Sequence, residues 1–283
     1  MVKNYFKTVR ILNLALLSFI FWGLMLHIYN SGIAFEINHV YLFWATITTT
    51  ASGYLINNYH DLQSDKINNK SIIDVDSGYY LKSYFVHLSL SFFFLLISSL
   101  SGGWFLLILF LHILVLLYSL KLQHLPLIGN TAVALLCSIV ILIPQGISNQ
   151  YFNFNNYNSN ENITIIFSLF CFLITLKREA VKDLEDIKGD QKTGSYTLPI
   201  ALGKKVTFSY IFILLAVELV FLLNCIKETN YEIRYLFFYS LQLIILIITS
   251  YKLYLDKTKN FKIISSLIKL QFVLAGIGLY LLL

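Results

Sequence analysis

Residues 103–120 read GWFLLILFLHILVLLYSL, without one Asp, Glu, Lys or Arg. As a helix rising 1.5 Å per residue, the run spans about 27 Å, close to the ~30 Å hydrocarbon core of a bilayer. It predicts a membrane-spanning helix. The rest of the chain reads the same way. Of its 283 residues 57% are hydrophobic and only 13% charged, with a mean hydropathy of +0.71, whereas a soluble domain carries about a quarter charged residues. Too few polar groups exist to cover a surface in water, so lipid is the expected solvent.

The ~20-residue rule gives nine spans, near 11–29, 38–58, 82–100, 103–120, 127–147, 162–177, 206–225, 233–251 and 263–283. The predicted fold is all-α: a polytopic bundle of nine transmembrane helices around a central cavity, in a single domain over 1–283. The run at 162–177 is short, so its end is expected to lie against protein or near a cavity. Lys3, Lys7 and Arg10 precede the first run as in a signal peptide. No convincing small-residue cleavage site follows, and the segment reads as a retained first helix. Cys137, Cys171 and Cys225 lie far apart in apolar runs, a spacing that builds neither a disulfide framework nor a metal site.

Charge sets the orientation. With the N-terminus inside, 18 of the 21 Lys and Arg fall in inner segments, and the loop at 149–162 has none. That is the positive-inside pattern, with the N-terminus and the inner loops on the cytoplasmic side of the cell (inner) membrane. A net charge of +6 therefore reads as membrane topology, and no nucleic-acid partner is expected. Nine of the 15 acids cluster in 61–76 and 179–190, both in inner loops. One cluster follows the second span and the other the sixth. Two four-helix halves facing each other would bring both over one cavity.

The first cluster is NNYHDLQSD, residues 57–65, and the second KDLEDIKGD, residues 182–190. Asn57, Asp61 and Asp65 recur every fourth residue and share a helix face. Asp183, Asp186 and Asp190 share another, with Glu179 one turn before. Paired carboxylate clusters repel unless cations lie between them, and hard oxygen ligands suit Mg²⁺ bound with phosphates and water. Lys66, Lys70, Lys177, Arg178, Lys182 and Lys188 are interleaved, as for an anionic phosphate ester clamped by basic groups. The bland alternative is two solvated helix ends.

These residues resemble the UbiA-type intramembrane prenyltransferases. NNYHDLQSDKIN is similar to that family's first aspartate-rich motif. REAVKDLEDIKGDQKTGSYTLPIALG is similar to the second motif with its Thr-Leu-Pro segment, and YSLKLQHLPLIGN to the stretch between the fourth and fifth spans. Asn58 stands where the family usually has its first aspartate, and KINNKSIIDVDSG lacks the usual Arg-Pro pair. The resemblance implies a prenyl diphosphate bound through two Mg²⁺ ions, its allylic cation captured by a lipophilic acceptor. It implies Asn57, Asn58, Asp61 and Asp65 at one metal and Asp183, Asp186 and Asp190 at the other. Lys182, Tyr118, Lys121, Lys70, Asn130 and Arg178 would lie around the diphosphate. In the second motif and in Arg178-Glu179 the chain most resembles the branch that prenylates a glycerol-phosphate ether lipid. An aromatic acceptor of quinone biosynthesis, a family member that has lost catalysis and a cation-binding transporter remain the alternatives. Glu218, mid-span, is expected to find partners inside the bundle, and His87 and His112 to pack against hydrogen-bonding partners.

Overall fold

A computed structural model describes residues 2–30, 32–68, 76–148, 159–228, 233–255 and 260–281. Among these the chain is all helical, with no strand. The helices are α1 (Val2–Thr8), α2 (Ile11–Asn30), α3 (Ile37–Ile67), α4 (Ser77–Leu96), α5 (Gly102–Leu120), α6 (Ile128–Ser148), α7 (Ser159–Thr193), α8 (Leu198–Ala201), α9 (Gly203–Glu228), α10 (Ile233–Leu255) and α11 (Phe261–Leu281). Six of them, α2, α5, α6, α9, α10 and α11, are long and apolar enough to cross a membrane. The protein is a multi-pass integral membrane protein by composition and by what it exposes. On α5, Leu106, Phe110, Ile113, Leu117 and Leu120 form an exposed apolar stripe, while His112 and Ser119 are buried. That polarity is inverted relative to a helix in water and fits lipid outside.

The chain divides into two compact units. The first comprises Met1–His124, Ile143–Asn153 and Lys188–Ser195, and the second Leu125–Leu142, Phe154–Ile187 and Tyr196–Leu283. In the first unit α3 packs against α1, α2, α4 and α5. Gly53 lets it approach α5, since a Cβ there would stand 3.3 Å from Val115. The α3 threonines satisfy their hydroxyls on their own helix: Thr46 donates to Leu42 O at 2.8 Å and Thr50 to Thr46 O at 2.9 Å. Both histidines pack as expected. His112 Nε2 meets Ser91 Oγ at 2.7 Å. His87 Nδ1 lies 2.8 Å from Ser83 O, so it is the N–H donor, and Nε2 then accepts from the Tyr5 hydroxyl at 2.9 Å.

The second unit centres on Ala134, Leu176 and Leu214, with Phe172 and Tyr210 against them. Beside this core lies a buried polar cluster. Lys177 donates to Glu218 and, at 2.9 Å, to Gln271 Oε1; Gln271 Nε2 donates to Glu218 Oε1 at 2.8 Å. All three are essentially inaccessible. Glu218 thus has the interior partners expected of it. Lys177 is a correction: it belongs to this core and not to the clamp of basic groups around the second motif, because only an ion pair makes a fully buried ammonium tolerable.

The helix over the run expected as a sixth span is longer than that run. α7 runs 35 residues, about 52 Å at 1.5 Å per residue, from the apolar run through the whole second motif. Charge ends the apolar signal at Lys177, but nothing there ends a helix. The helix ends at Gly194, whose φ of 76° is left-handed. Ser195 N then donates to Asp190 O at 2.9 Å, the six-to-one bond of a glycine C-cap.

Candidate active site

The first motif ends α3. Asn57, Asn58, Asp61 and Asp65 are all half-buried on its last turns. Asn57 Nδ2 donates to the Asp61 carboxylate one turn on. Asn57 Oδ1 is buried and has no hydrogen-bond partner. An orphaned acceptor of this kind costs about 1–3 kcal/mol. Held beside a carboxylate, it fits a hard divalent cation. Among the described residues no three His, Cys, Asp or Glu side chains converge as a metal cluster, so a cation at this motif would draw on amide, phosphate and water oxygens beside the carboxylates.

Asn58 is engaged elsewhere. Its Nδ2 donates to Thr8 O at 2.8 Å, and its Oδ1 accepts from Arg10 Nη2 at 3.3 Å. Arg10, with a left-handed φ of 52°, also lies 5.0 Å over the Tyr54 ring. Asn58 therefore ties the end of α1 to α3.

The second motif's last turn belongs to the same unit as the first motif. Gly189 N donates to Asn68 Oδ1 at 2.8 Å. A Cβ on Gly189 would overlap the Asn68 amide and stand 2.8 Å from Ser64 Oγ. Each motif thus contributes a flanking residue to this contact, since Ser64 adjoins Asp65 and Gly189 adjoins Asp190. His124, in the turn after α5, meets Ser195 Oγ at 2.7 Å. His60, past the expected span at 38–58, has its pKa held below the ordinary value by burial, against Asp61, which raises it, with a smaller lowering from His124. Tyr118 is half-buried in the last turn of α5 and Lys121 is exposed at its C-cap. Lys70 lies outside the described residues.

In the second unit Asn130, buried on the first turn of α6, donates to Asp183 Oδ2 at 3.0 Å. Two residues singled out from the sequence are thereby joined. Asp183 and Asp186 are half-buried on α7. Glu179, 7% exposed, accepts from Arg178 Nη1 at 3.0 Å and from Lys182 Nζ at 2.9 Å. Sequence reading missed Ser64, Asn68, Gly189, His124, Arg10 and the role of Glu179. The one available signal was Gly189 itself, a glycine inside an otherwise helix-favouring charged run, which marks a close approach.

The UbiA prenyltransferase family profile matches residues 16–271. The chain belongs to the UbiA prenyltransferase family. A digeranylgeranylglyceryl phosphate synthase of Methanosphaera stadtmanae is 33% identical over 215 residues, 72% of this chain and 71% of that protein. A solved structure concerned with digeranylgeranylglyceryl phosphate synthase in membranes superposes with a TM-score of 0.70 at 22% identity, over 99% of this chain and 98% of the other. A UbiA homolog from Archaeoglobus fulgidus bound to GPP and Mg²⁺ gives 0.63 at 16% identity, over 98% and 99%. At such identities the two structures bear on the UbiA fold alone.

Proposed function

We propose that this UbiA-family enzyme transfers a geranylgeranyl group from its diphosphate to the hydroxyl of a prenylated glycerol phosphate, with Mg²⁺ as cofactor. The observation that carries the reading is the Gly189–Asn68 contact, which links the ends of the two acidic motifs. The Methanosphaera stadtmanae relative supports the acceptor class, and the match over residues 16–271 supports reading 1–283 as one catalytic domain. The reading includes nine membrane crossings, one for each of the helices α2–α7 and α9–α11, with the N-terminus and both motifs on the cytoplasmic side of the cell membrane. The distribution of Lys and Arg supports that orientation.

Asn57, Asp61 and Asp65 would hold one Mg²⁺–diphosphate unit, and Asp183, Asp186 and Asp190 the other. Asn58 is the weakest of the proposed ligands, because its amide serves Arg10 and Thr8. Mg²⁺ bound there would offset the charge that develops on the leaving diphosphate. Asn130 fixes the Asp183 carboxylate through its amide. Tyr118, Lys121 and Lys70 would meet the remaining diphosphate oxygens. The bond from prenyl C1 to the diphosphate oxygen breaks with its electron pair leaving on the diphosphate. The acceptor oxygen bonds to C1, and its proton passes to the released diphosphate. Apolar surroundings keep water from the allylic cation.

The test is incubation of the purified protein with labelled geranylgeranyl diphosphate, Mg²⁺ and either geranylgeranylglycerol phosphate or 4-hydroxybenzoate. The reading expects a metal-dependent ether product with the first acceptor and none with the second. Diphosphate release with neither acceptor would end the enzyme reading, and product with 4-hydroxybenzoate alone would move the chain to the aromatic branch.

A further inference from the structure

Arg178 and Lys182 share one buried counter-ion and carry more positive charge than it neutralises. Each oxygen of Glu179 takes one of them, Oε1 from Arg178 Nη1 at 3.0 Å and Oε2 from Lys182 Nζ at 2.9 Å. Two cations and one carboxylate leave a net charge of +1. Glu179 is nearly buried, while the Arg178 and Lys182 side chains are 28% and 30% exposed. Arg178 Nε is buried without a hydrogen-bond partner. A guanidinium that spends one nitrogen on a carboxylate and keeps an unsatisfied Nε is suited to grip a second oxyanion along another edge.

Position on α7 suggests which anion. Residues 178 and 182 are four apart and share a face. Asp183, Asp186 and Asp190 form the neighbouring face, where a metal-bound diphosphate is proposed. A second phosphate cannot share the carboxylate row, which repels it unless metal intervenes. About one helical turn, ~5.4 Å, separates Glu179 from Asp183, a distance within the reach of a glycerol between its hydroxyl and its phosphate.

We propose that Arg178 and Lys182 bind the phosphomonoester of the acceptor, and that Glu179 is the positioning residue that holds both cations toward it. The proposal rests on the reaction proposed above. It reassigns Arg178 and Lys182 from the diphosphate to the acceptor, and it makes the acceptor's phosphate, rather than its chain, the group that the site selects.

The experiment uses the full chain in phosphatidylcholine nanodiscs and phosphate-free buffer. Two quantities are measured: Mg²⁺-dependent binding of geranylgeranyl diphosphate without acceptor, and steady-state kinetics with geranylgeranylglycerol phosphate and with its dephosphorylated form. For Arg178→Gln and Lys182→Gln the expected result is a KM for the phosphorylated acceptor raised about tenfold or more, the loss of one charged hydrogen bond. Diphosphate binding should stay within about twofold of wild type, and preference for the phosphorylated acceptor should collapse. Glu179→Gln should raise the same KM with kcat less affected, and Glu179→Asp should recover part of it. Weakened diphosphate binding in Arg178→Gln, or equal losses with both acceptors, would overturn the assignment. A wild-type protein that binds no geranylgeranyl diphosphate with Mg²⁺ would instead overturn the underlying reaction. Arg178→Lys keeps the charge that pairs with Glu179 but has no Nε edge, so it serves as the folded control and should recover only part of the preference that Arg178→Gln loses.

Discussion

The backbone N–H of Gly189 donates to the side-chain oxygen of Asn68 at 2.8 Å, across 121 residues of sequence. Through this bond the last turn of the second acidic motif is seated on the residues that follow the first. A side chain at 189 would strike the Asn68 amide and Ser64. Gly189→Ala is therefore expected to cut turnover by about tenfold or more, with a stability loss of about 1–3 kcal/mol from overpacking. Gly189→Ala/Asn68→Ala should regain part of the loss, because the second change opens the space the first one fills. Kinetics and thermal unfolding of the two variants check this.

Asn58→Asp restores the residue usual in the family, yet it should not tighten the metal site. Its side chain is directed to Arg10 and Thr8. A carboxylate there gains an ion pair with Arg10 and loses a donor to Thr8 O, effects of about 1 kcal/mol each with opposite sign. The half-saturating Mg²⁺ concentration is expected to stay within about twofold of wild type. A several-fold fall would show that residue 58 ligates the metal.

Lys177→Met alone should destabilise the protein by about 3–5 kcal/mol, because it strands the buried Glu218 carboxylate. Replacing both members, as Lys177→Met/Glu218→Leu, should recover most of that. Unfolding midpoints in detergent give both numbers. If the single variant unfolds like wild type, the buried Lys177–Glu218 pair does not hold α7 to α9.

His60 sets a pH dependence. Its folded pKa is lowered from 6.5 chiefly by burial, which outweighs the raising effect of Asp61, so the unfolded chain takes up a proton at a pH where the folded protein does not. Stability is then fully present above pH 6.5 and falls as pH drops through the lowered folded value. Unfolding midpoints between pH 7.5 and 5 should decline more steeply for wild type than for His60→Gln, and parallel declines would contradict the assignment.

Hydropathy made the helices legible, since each of the nine runs read as a span lies mostly within a helix among the described residues, six of these helices being long and apolar enough to cross a membrane. Helix ends were less so. The apolar signal of α7 stops at Lys177, while the helix continues to Thr193 because Glu, Lys and Asp at i, i+3 and i+4 sustain it beyond the lipid-like run. Of the proposed site, the helix faces that carry Asp61 and Asp183 could be read from spacing alone. The roles of Asn58, Asn68 and His124 could not, because each is decided by a partner far away in sequence. Lys177 misled for the same reason: a basic residue beside an acidic motif looks like a phosphate ligand until Glu218, 41 residues on, is seen to bury it.

The most direct test of the central claim, that both motifs serve one metal–diphosphate site, is Mg²⁺-dependent binding of labelled geranylgeranyl diphosphate to Asp61→Asn, Asp183→Asn and the double variant. One shared site predicts that each single change weakens binding at least about tenfold and that the double variant is little worse than either, a strong coupling between residues acting as a unit. Fully additive losses, or a single variant that binds like wild type, would contradict it.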